Sequence, residues 1–164
     1  MNTLVTGGGG FLGRYIVEQL LARGDSVRVL CRGSYPALHA LAVETIRASL
    51  SDRDAAVEAC RGVDVVYHVA SLAGIWGPWE HFHSVNVLGT ENIVEGCRRH
   101  GVGRLIYTSS PSVTFDGLAP NGGAQKGVDE SIPYPHRWLC HYPHTKALAE
   151  QHVLAANGSD GLST

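Results

Sequence analysis

The stretch TGGGGFLG, residues 6–13, joins a short apolar segment to an amphipathic one. Its glycines at positions 7, 10 and 13 have the spacing G-x-x-G-x-x-G. In a dinucleotide-binding turn, one glycine permits the tight turn, one lets the backbone approach a pyrophosphate, and one lets helix and strand pack closely. Four consecutive glycines could also be an ordinary loop, but a strand–turn–helix setting favours dinucleotide binding. We expect the cofactor phosphates to contact Gly7, Gly9, Gly10, Phe11, Leu12 and Gly13.

Strands and helices alternate on the C-terminal side of this turn. The pattern predicts strands at 1–6, 26–31, 42–48, 64–69 and 104–109, and helices at 11–23, 54–60, 80–100 and 142–156. Gly24 and Gly101 stand where glycines commonly end helices. Val-rich strands that alternate with helices are typical of a parallel, doubly wound α/β sheet of the Rossmann type. We expect residues 1–164 to form one dinucleotide-binding domain.

Two segments depart from this alternation. Residues 111–141 form a predicted loop of about thirty residues, far longer than loops in compact domains usually are, and such loops tend to be lids or substrate walls. The last four residues, GLST at 161–164, resemble the start of a sixth strand.

Composition excludes several classes of protein. Of the 164 residues, 44% are hydrophobic and 17% are charged, with a formal net charge of −2. This is an ordinary globular composition without the basic excess of nucleic-acid-binding proteins. The apolar runs are too short for a membrane span, and the chain begins on a strand. We therefore expect a cytoplasmic protein without a secretory leader.

Cysteines and histidines show no metal-binding spacing. The four cysteines are scattered, which is typical of buried free thiols in a reducing compartment. The nearest histidine pairs, His81/His83 and His141/His144, match no H-E-x-x-H or Cys/His ligand pattern. We expect no metal site.

The end of the second predicted strand indicates which cofactor is bound. Enzymes that use NAD usually place an acidic residue there to hold the ribose diol. Here Cys31 ends the strand and Arg32 follows. A guanidinium can hold a 2′-phosphate with two parallel hydrogen bonds, so we expect NADP(H) in preference to NAD(H). Arg28 could assist, and the alternative is that Arg32 is a solvated surface residue.

Five motifs in one order carry a family resemblance: TGGGGFLG at 6–13, HVAS at 68–71, SVNVLGTENIVEGC at 84–97, YTSSPSV at 107–113 and YPHTK at 142–146. Together they resemble the extended short-chain dehydrogenase/reductases. YTSSPSVTFDG followed by DESIPYP is similar to the 3β-hydroxysteroid dehydrogenase/isomerase family. HVASLAGIWG and RGSYPAL resemble the bacterial 2-alkyl-3-oxoalkanoate reductases.

The resemblance implies a role for individual residues. Ser110, Tyr142 and Lys146 match the catalytic serine, tyrosine and lysine of the family, and Asn86 matches the asparagine that positions its active site. Further cofactor contacts are implied for Ala70, Ser71, Ser49, Leu50, Tyr142 and Lys146. Ser49 stands where the family often has aspartate. The chain also lacks the substrate-binding region that follows the sixth strand in extended members, so we expect it to be incomplete as an enzyme.

The chemistry of ketone reduction suits these residues. A tyrosine phenol titrates at about 10, and an ammonium nearby favours its phenolate form. Lys146 is one helical turn from Tyr142. Pro143 is acceptable only if the helix begins there, which places Tyr142 at the mouth of the cleft. Ser110, at the carboxyl end of a strand, can stabilise the substrate oxygen.

These observations predict an NADP(H)-dependent oxidoreductase that interconverts a ketone and a secondary alcohol on an apolar substrate, of the 2-alkyl-3-oxo acid or 3-hydroxysteroid type. The alternatives are a nucleotide-sugar epimerase or dehydratase, and a dinucleotide-binding relative without turnover. Four aromatic residues either pack in the core or line an apolar substrate site: Trp76, Trp79, Phe82 and Trp138. The resemblance also implies a homodimer through helices 80–100 and 142–156.

Overall fold

Five parallel strands form the centre of the protein in a computed structural model that describes residues 1–41, 43–115, 129 and 131–164. The sheet order is β3-β2-β1-β4-β5. The strands are β1 (Asn2–Thr6), β2 (Ser26–Cys31), β3 (Glu44–Arg47), β4 (Val65–His68) and β5 (Arg104–Tyr107). The order reverses at β1, so the carboxyl ends of β1 and β4 flank a crevice of the kind in which such sheets bind ligands.

Helices cover both faces of the sheet. They are α1 (Phe11–Ala22), α2 (Pro36–His39), α3 (Arg53–Ala59), α4 (Trp79–Phe82), α5 (Gly89–His100) and α6 (His141–Ala155). Successive residues of β1 point to opposite faces. Leu4 packs in the cluster that contains Ile93 of α5, whereas Val5 packs in the cluster that contains Val17 of α1. The predicted parallel, doubly wound α/β fold is confirmed.

The helix predicted over residues 80–100 is not regular. Between α4 and α5 the chain forms a π-helix, His83–Leu88, so the three segments run continuously from 79 to 100. Hydrophobic spacing cannot reveal this, because a π-turn changes the hydrogen bonding of the backbone without interrupting the helix. Such segments are frequent at functional sites, and this one contains Asn86. Gly101, with φ +67°, ends α5 as predicted.

The other predicted elements lie within two residues of the observed ones, with some additions. Helix α2 was not predicted, and Pro111–Thr114 at the start of the predicted long loop forms a 3-10 turn. Ala42 and residues 116–128 and 130 of that loop lie outside the described residues. Near the C-terminus, Ser163 pairs in parallel with Arg104 of β5, in agreement with the strand-like pattern of GLST.

Three of the four aromatic residues make packing contacts, although only Phe82 is fully buried. Phe82 is buried, and the Trp79 ring contacts His144 at a centroid distance of 4.9 Å. Trp138 stacks on His144 at 4.3 Å and donates a hydrogen bond to the Val113 carbonyl. Trp76 differs, since it is 90% exposed.

Within the described residues, the structure contains no helix with the length and apolar character that crossing a bilayer requires. The same part of the chain shows no cluster of three or more histidine, cysteine or acidic side chains that could hold a metal ion. All four cysteines are free thiols, and three are buried: Cys31, Cys60 and Cys97.

Candidate cofactor and catalytic site

The glycine turn is built so tightly that side chains would not fit. A Cβ on Gly13 would lie 2.3 Å from the Gly7 carbonyl oxygen, and one on Gly7 would lie 2.9 Å from the Ala70 Cα. Gly7 also has φ +72°, a conformation that favours glycine. The Gly10 N–H closes the turn on the Gly7 carbonyl at 2.9 Å. The turn is therefore an open cradle of backbone, as a bound pyrophosphate requires.

Helix α1 begins directly at this cradle. Among the described residues, no side chain caps its first turn. The N–H groups of Phe11 and Leu12 have no partner within the helix and, with the positive end of the helix dipole, favour an anion. The residues present thus fit a dinucleotide pyrophosphate.

A cavity of about 280 Å³ extends from the turn along the carboxyl ends of the strands. The cofactor-binding residues predicted within 6–13, 32, 49–50 and 70–71 all line this cavity except Gly9. Gly9 lies against the ring of Tyr35 instead. The cavity wall is formed by Gly7, Gly10, Phe11, Leu12, Gly13, Leu30, Cys31, Arg32, Tyr35, Ala48, Ser49, Leu50, Val69, Ala70, Ser71 and Val85.

Arg32 and Arg28 behave differently. Arg32 is exposed at the cavity, next to the buried Cys31. Arg28 is engaged elsewhere, because its Nη1 donates to the carbonyls of Ala59 at 2.9 Å and Arg61 at 2.7 Å. The expectation that Arg28 could assist Arg32 is therefore wrong.

Helix α5 packs against Leu50 at the end of the cavity that Ser49 and Leu50 line. The Asn92 side chain donates to the Leu50 carbonyl at 2.8 Å. A Cβ on Gly89 would lie 2.6 Å from the Leu50 Cβ, so the glycine of the N-V-x-G-T motif allows Leu50 to pack directly on the helix. Ser49 bonds the Ser51 hydroxyl at 2.7 Å. Leu50 and Ser49 thus place an apolar side chain beside a polar one in the cavity wall, which suits an adenine.

A second cavity, of about 340 Å³, holds Ser110 and Tyr142. The segment 69–75 after β4 connects the two cavities, because its first residues line the first cavity and Gly74 and Ile75 line the second. Tyr142 lies in the first turn of α6, with Pro143 buried beside it, as the proline predicted. Ser110 also caps the following 3-10 turn, since its hydroxyl accepts the Ser112 N–H at 3.3 Å.

Lys146 lines neither of these two cavities and is only 2% exposed. Its ammonium donates to the Thr108 carbonyl at 2.6 Å and lies 4.0 Å from the centroid of the Tyr107 ring. Burial lowers the pKa of the Lys146 side chain to about 8, and the negative charge of Glu150 opposes that shift.

Asn86 connects the helical layer to the segment between the cavities. Its side chain accepts the Leu72 N–H at 2.7 Å and donates to the Leu72 carbonyl and to Thr145 of α6, each at 3.0 Å. Because Thr145 lies between Tyr142 and Lys146 in sequence, Asn86 fixes the position of the helix that carries both.

A buried histidine extends this network to the glycine turn. Thr6 Oγ1 accepts the N–H groups of Val69 and Ala70, each at 3.1 Å, so its single hydrogen is donated to His68 Nδ1 at 2.7 Å. His68 Nε2 then carries the hydrogen and donates to Thr90 Oγ1 at 2.9 Å. Burial, with a contribution from the positive charge of Lys146, lowers the pKa of His68 to about 3, so the ring stays neutral.

No motif in the sequence predicts a separate role for His68, Thr145 or Tyr35. His68 occurs in the HVAS motif and Tyr35 in RGSYPAL, so a signal was present for both. Nothing in the sequence shows that Thr6 and Thr90 bond the two nitrogens of one imidazole.

A parallel sheet of this order, with a glycine cradle at its point of reversal, defines a dinucleotide-binding α/β protein. Residues 4–164 match the model of the 3-beta hydroxysteroid dehydrogenase/isomerase family. The chain belongs to this family, as its motifs predicted.

Individual relatives agree with that assignment. The chain is 47% identical over 157 residues to a 2-alkyl-3-oxoalkanoate reductase of Stenotrophomonas maltophilia. The aligned region covers 96% of this chain and 47% of that reductase. The chain is 38% identical over 175 residues to a 3 beta-hydroxysteroid dehydrogenase/Delta 5-->4-isomerase of Mycobacterium tuberculosis, covering 99% and 45%. The chain thus spans about half the length of these curated relatives.

A solved structure shows the same architecture with cofactor. UDP-glucose 4-epimerase of Thermus thermophilus in complex with NAD is 32% identical, with a TM-score of 0.83 over 99% of this chain and 52% of the epimerase.

Proposed function

We propose that this chain is the cofactor-binding part of an NADP(H)-dependent oxidoreductase that interconverts a ketone and a secondary alcohol. The observation that carries the proposal is the arrangement of the two cavities along segment 69–75. One cavity is lined by the glycine turn, the start of α1 and Arg32, and the other presents Ser110 and Tyr142. A pure binding module would have no need of a tyrosine phenol in a cavity with a buried lysine one helical turn further along.

The protein's own groups manage the proton and the developing charge. The cofactor, when bound, supplies or accepts the hydride. Tyr142 gives its proton to the substrate oxygen in reduction and takes it back in oxidation. Ser110 donates a hydrogen bond to the same oxygen. Lys146, one turn further along α6, keeps positive charge close to the tyrosine.

The substrate side of the second cavity is apolar. Its rim contains the exposed side chains of Ile75, Phe115 and Leu139. Because such side chains bind hydrocarbon better than hydroxylated sugars, they favour a 2-alkyl-3-oxo acid or a 3-hydroxysteroid over a nucleotide-sugar. The reductase and dehydrogenase names of the curated relatives point the same way. The half of those relatives that this chain does not match would supply the rest of the substrate site.

The full-length protein mixed with NADPH tests the function directly. A 2-alkyl-3-oxo acid, a 3-ketosteroid and a nucleotide-sugar are offered separately, and loss of nicotinamide absorbance is followed. We expect turnover with one of the first two. Reaction of the nucleotide-sugar alone would favour the epimerase or dehydratase alternative. Cofactor binding without turnover on any substrate would favour the non-catalytic one.

Arg32 should determine the preference for NADP(H). Hydrogen bonds that involve charged groups contribute about 1.5–3 kcal/mol. Arg32→Ala should therefore weaken NADPH binding about ten- to a hundredfold and spare NADH. Cys31→Asp should shift the preference towards NADH by repelling the phosphate. Dissociation constants for both cofactors are the measurement.

Arg61→Ala is the matched control for this experiment. Arg61 is paired with Glu58 and lies with Asn2 and Ser26, at the opposite ends of the strands. An unchanged ratio of NADPH to NADH affinity in Arg32→Ala would mean that Arg32 is only a surface charge.

We also propose that two copies pair through residues 80–100 and 142–156. The outer faces of α5 and α6 lie side by side, and the His152 Nε2 lies 2.9 Å from a Glu91 carboxylate oxygen. Sedimentation equilibrium of the full-length protein would measure this, and a monomer at micromolar concentration would contradict it.

A further inference from the structure

Tyr35 lines the cofactor cavity but belongs neither to the glycine motif nor to the Cys31-Arg32 pair at the end of β2. It is half-buried and forms part of the cavity wall. A Cβ on Gly9 would lie 2.3 Å from the ring atoms Cδ2 and Cε2, and one on Gly33 would lie 3.1 Å from Cε2. The ring thus lies between the glycine turn and the turn that follows β2.

The backbone around Tyr35 holds the ring in place. Tyr35 precedes α2, and its carbonyl accepts the N–H groups of Leu38 at 2.9 Å and His39 at 3.3 Å. Leu38 is 1% exposed and anchors the short helix in the core. Ser34 and His39 bond across the same turn at 3.0 Å. The four-residue helix α2 therefore fixes the position of the Tyr35 side chain.

This packing explains a glycine that the dinucleotide motif leaves open. In G-x-x-G-x-x-G the turn geometry requires positions 7, 10 and 13, whereas Gly9 is one of the variable positions. Gly9 is nevertheless restricted here, because any side chain would overlap the Tyr35 ring. The ring in turn lies directly against the backbone of the glycine turn.

The hydroxyl of Tyr35 lies next to the turn that carries Arg32, since a Cβ on Gly33 would be 3.3 Å from the Tyr35 oxygen. Among the described residues this hydroxyl has no hydrogen-bond partner, and it is not one of the buried polar atoms that lack a partner. Arg32 is three residues away, on the same turn, and both side chains line the cavity with Ser49 and Leu50. A phosphate on the adenosine ribose needs donors for three oxygens, and one guanidinium does not satisfy all of them.

We propose that Tyr35 is a second binding residue for the 2′-phosphate of NADP(H), and that its ring holds the glycine turn in shape through Gly9. The inference rests on the proposed NADP(H) preference. The hydroxyl discriminates between the two cofactors, whereas the ring supports both of them equally.

Four variants of the full-length protein separate these two roles. Dissociation constants are measured for NADPH and NADH, and for 2′,5′-ADP and ADP, which carry no nicotinamide. Tyr35→Phe should weaken NADPH and 2′,5′-ADP about tenfold, as expected for a hydrogen bond to a charged group, and leave NADH and ADP unchanged. Tyr134→Phe is the control, because its hydroxyl bonds Glu150 on another part of the protein. Equal weakening of both cofactors by Tyr35→Phe, or of neither, would overturn the phosphate contact.

A double-mutant cycle tests the ring. Gly9→Ala should weaken both cofactors and lower Tm, because the new methyl overlaps the ring. In the Tyr35→Ala background the same change should have little further effect, since the obstruction is gone. An equal cost of Gly9→Ala in both backgrounds would overturn the packing role. If Arg32→Ala leaves the cofactor preference unaltered, the proposed preference for NADP(H) is wrong. The coupling between Gly9→Ala and Tyr35→Ala still tests the packing role of the ring independently.

Discussion

Tyr142→Phe in the full-length protein is expected to lower kcat by about 10²–10⁴-fold, the usual worth of a general acid or base. The substitution removes one oxygen and keeps the ring, which is half-buried at the start of α6. The helix start is also preserved, because the Tyr142 carbonyl that accepts the Thr145 hydroxyl at 3.0 Å is backbone. Cofactor affinity should therefore stay within about twofold of wild type.

Two measurements are needed, kcat with saturating substrate and the dissociation constant of NADPH. Tyr134→Phe is again the control, because it removes a phenol that bonds Glu150 and does not line the second cavity. A Tyr142→Phe protein that keeps more than about a tenth of the wild-type kcat would assign the acid–base role to another group.

The fold could be predicted because its signals are local. The glycine spacing at 7, 10 and 13 requires a turn that only glycine can form, and the structure shows the reason in the 2.3 Å approach of a Gly13 Cβ to Gly7. Strand β2 was predicted at its observed bounds, since SVRVLC is apolar and stands between Gly24-Asp25 and Arg32-Gly33. Pro143 likewise indicated where α6 begins.

What could not be predicted depends on contacts between distant segments. Asn86 lies in the π-helix at 83–88. Its hydrogen bonds to Leu72 and Thr145 join residues that are 14 and 59 positions apart in the sequence. Helix α2 has four residues, too few for a hydrophobic period, so its role in placing Tyr35 was invisible. The burial of Lys146 could not be predicted either, because it arises from the packing of Tyr107 and Thr108 against the side chain.

The burial of Lys146 has a second consequence of large expected size, a loss of activity at high pH. The ammonium carries its charge only below a pKa of about 8. As pH rises through that value, the positive charge one turn along α6 from Tyr142 disappears. We expect kcat/KM, which reports groups of the free enzyme, to fall about tenfold per pH unit above the pKa.

Stability should change in the opposite direction over the same range. The folded-state pKa of Lys146 is lower than its ordinary value of 10.5, so the folded protein binds this proton less tightly than the unfolded chain does. The charged lysine therefore costs stability below pH 8, and the cost disappears as pH rises from about 8 to 10.5. The free energy of unfolding should rise across that window by up to about 3 kcal/mol from this group.

Lys146→Met tests both consequences, because methionine is of similar length and has no charge. It should lower kcat at neutral pH by at least about a hundredfold, weaken cofactor binding, and remove the rise in unfolding free energy between pH 8 and 10.5. Lys146→Arg keeps its charge throughout this range and should flatten the alkaline limb of kcat/KM, although at a lower rate. An alkaline limb that is the same in wild type and Lys146→Arg would show that a different group titrates. An unchanged stability slope in Lys146→Met would show that the buried ammonium does not control stability in this range.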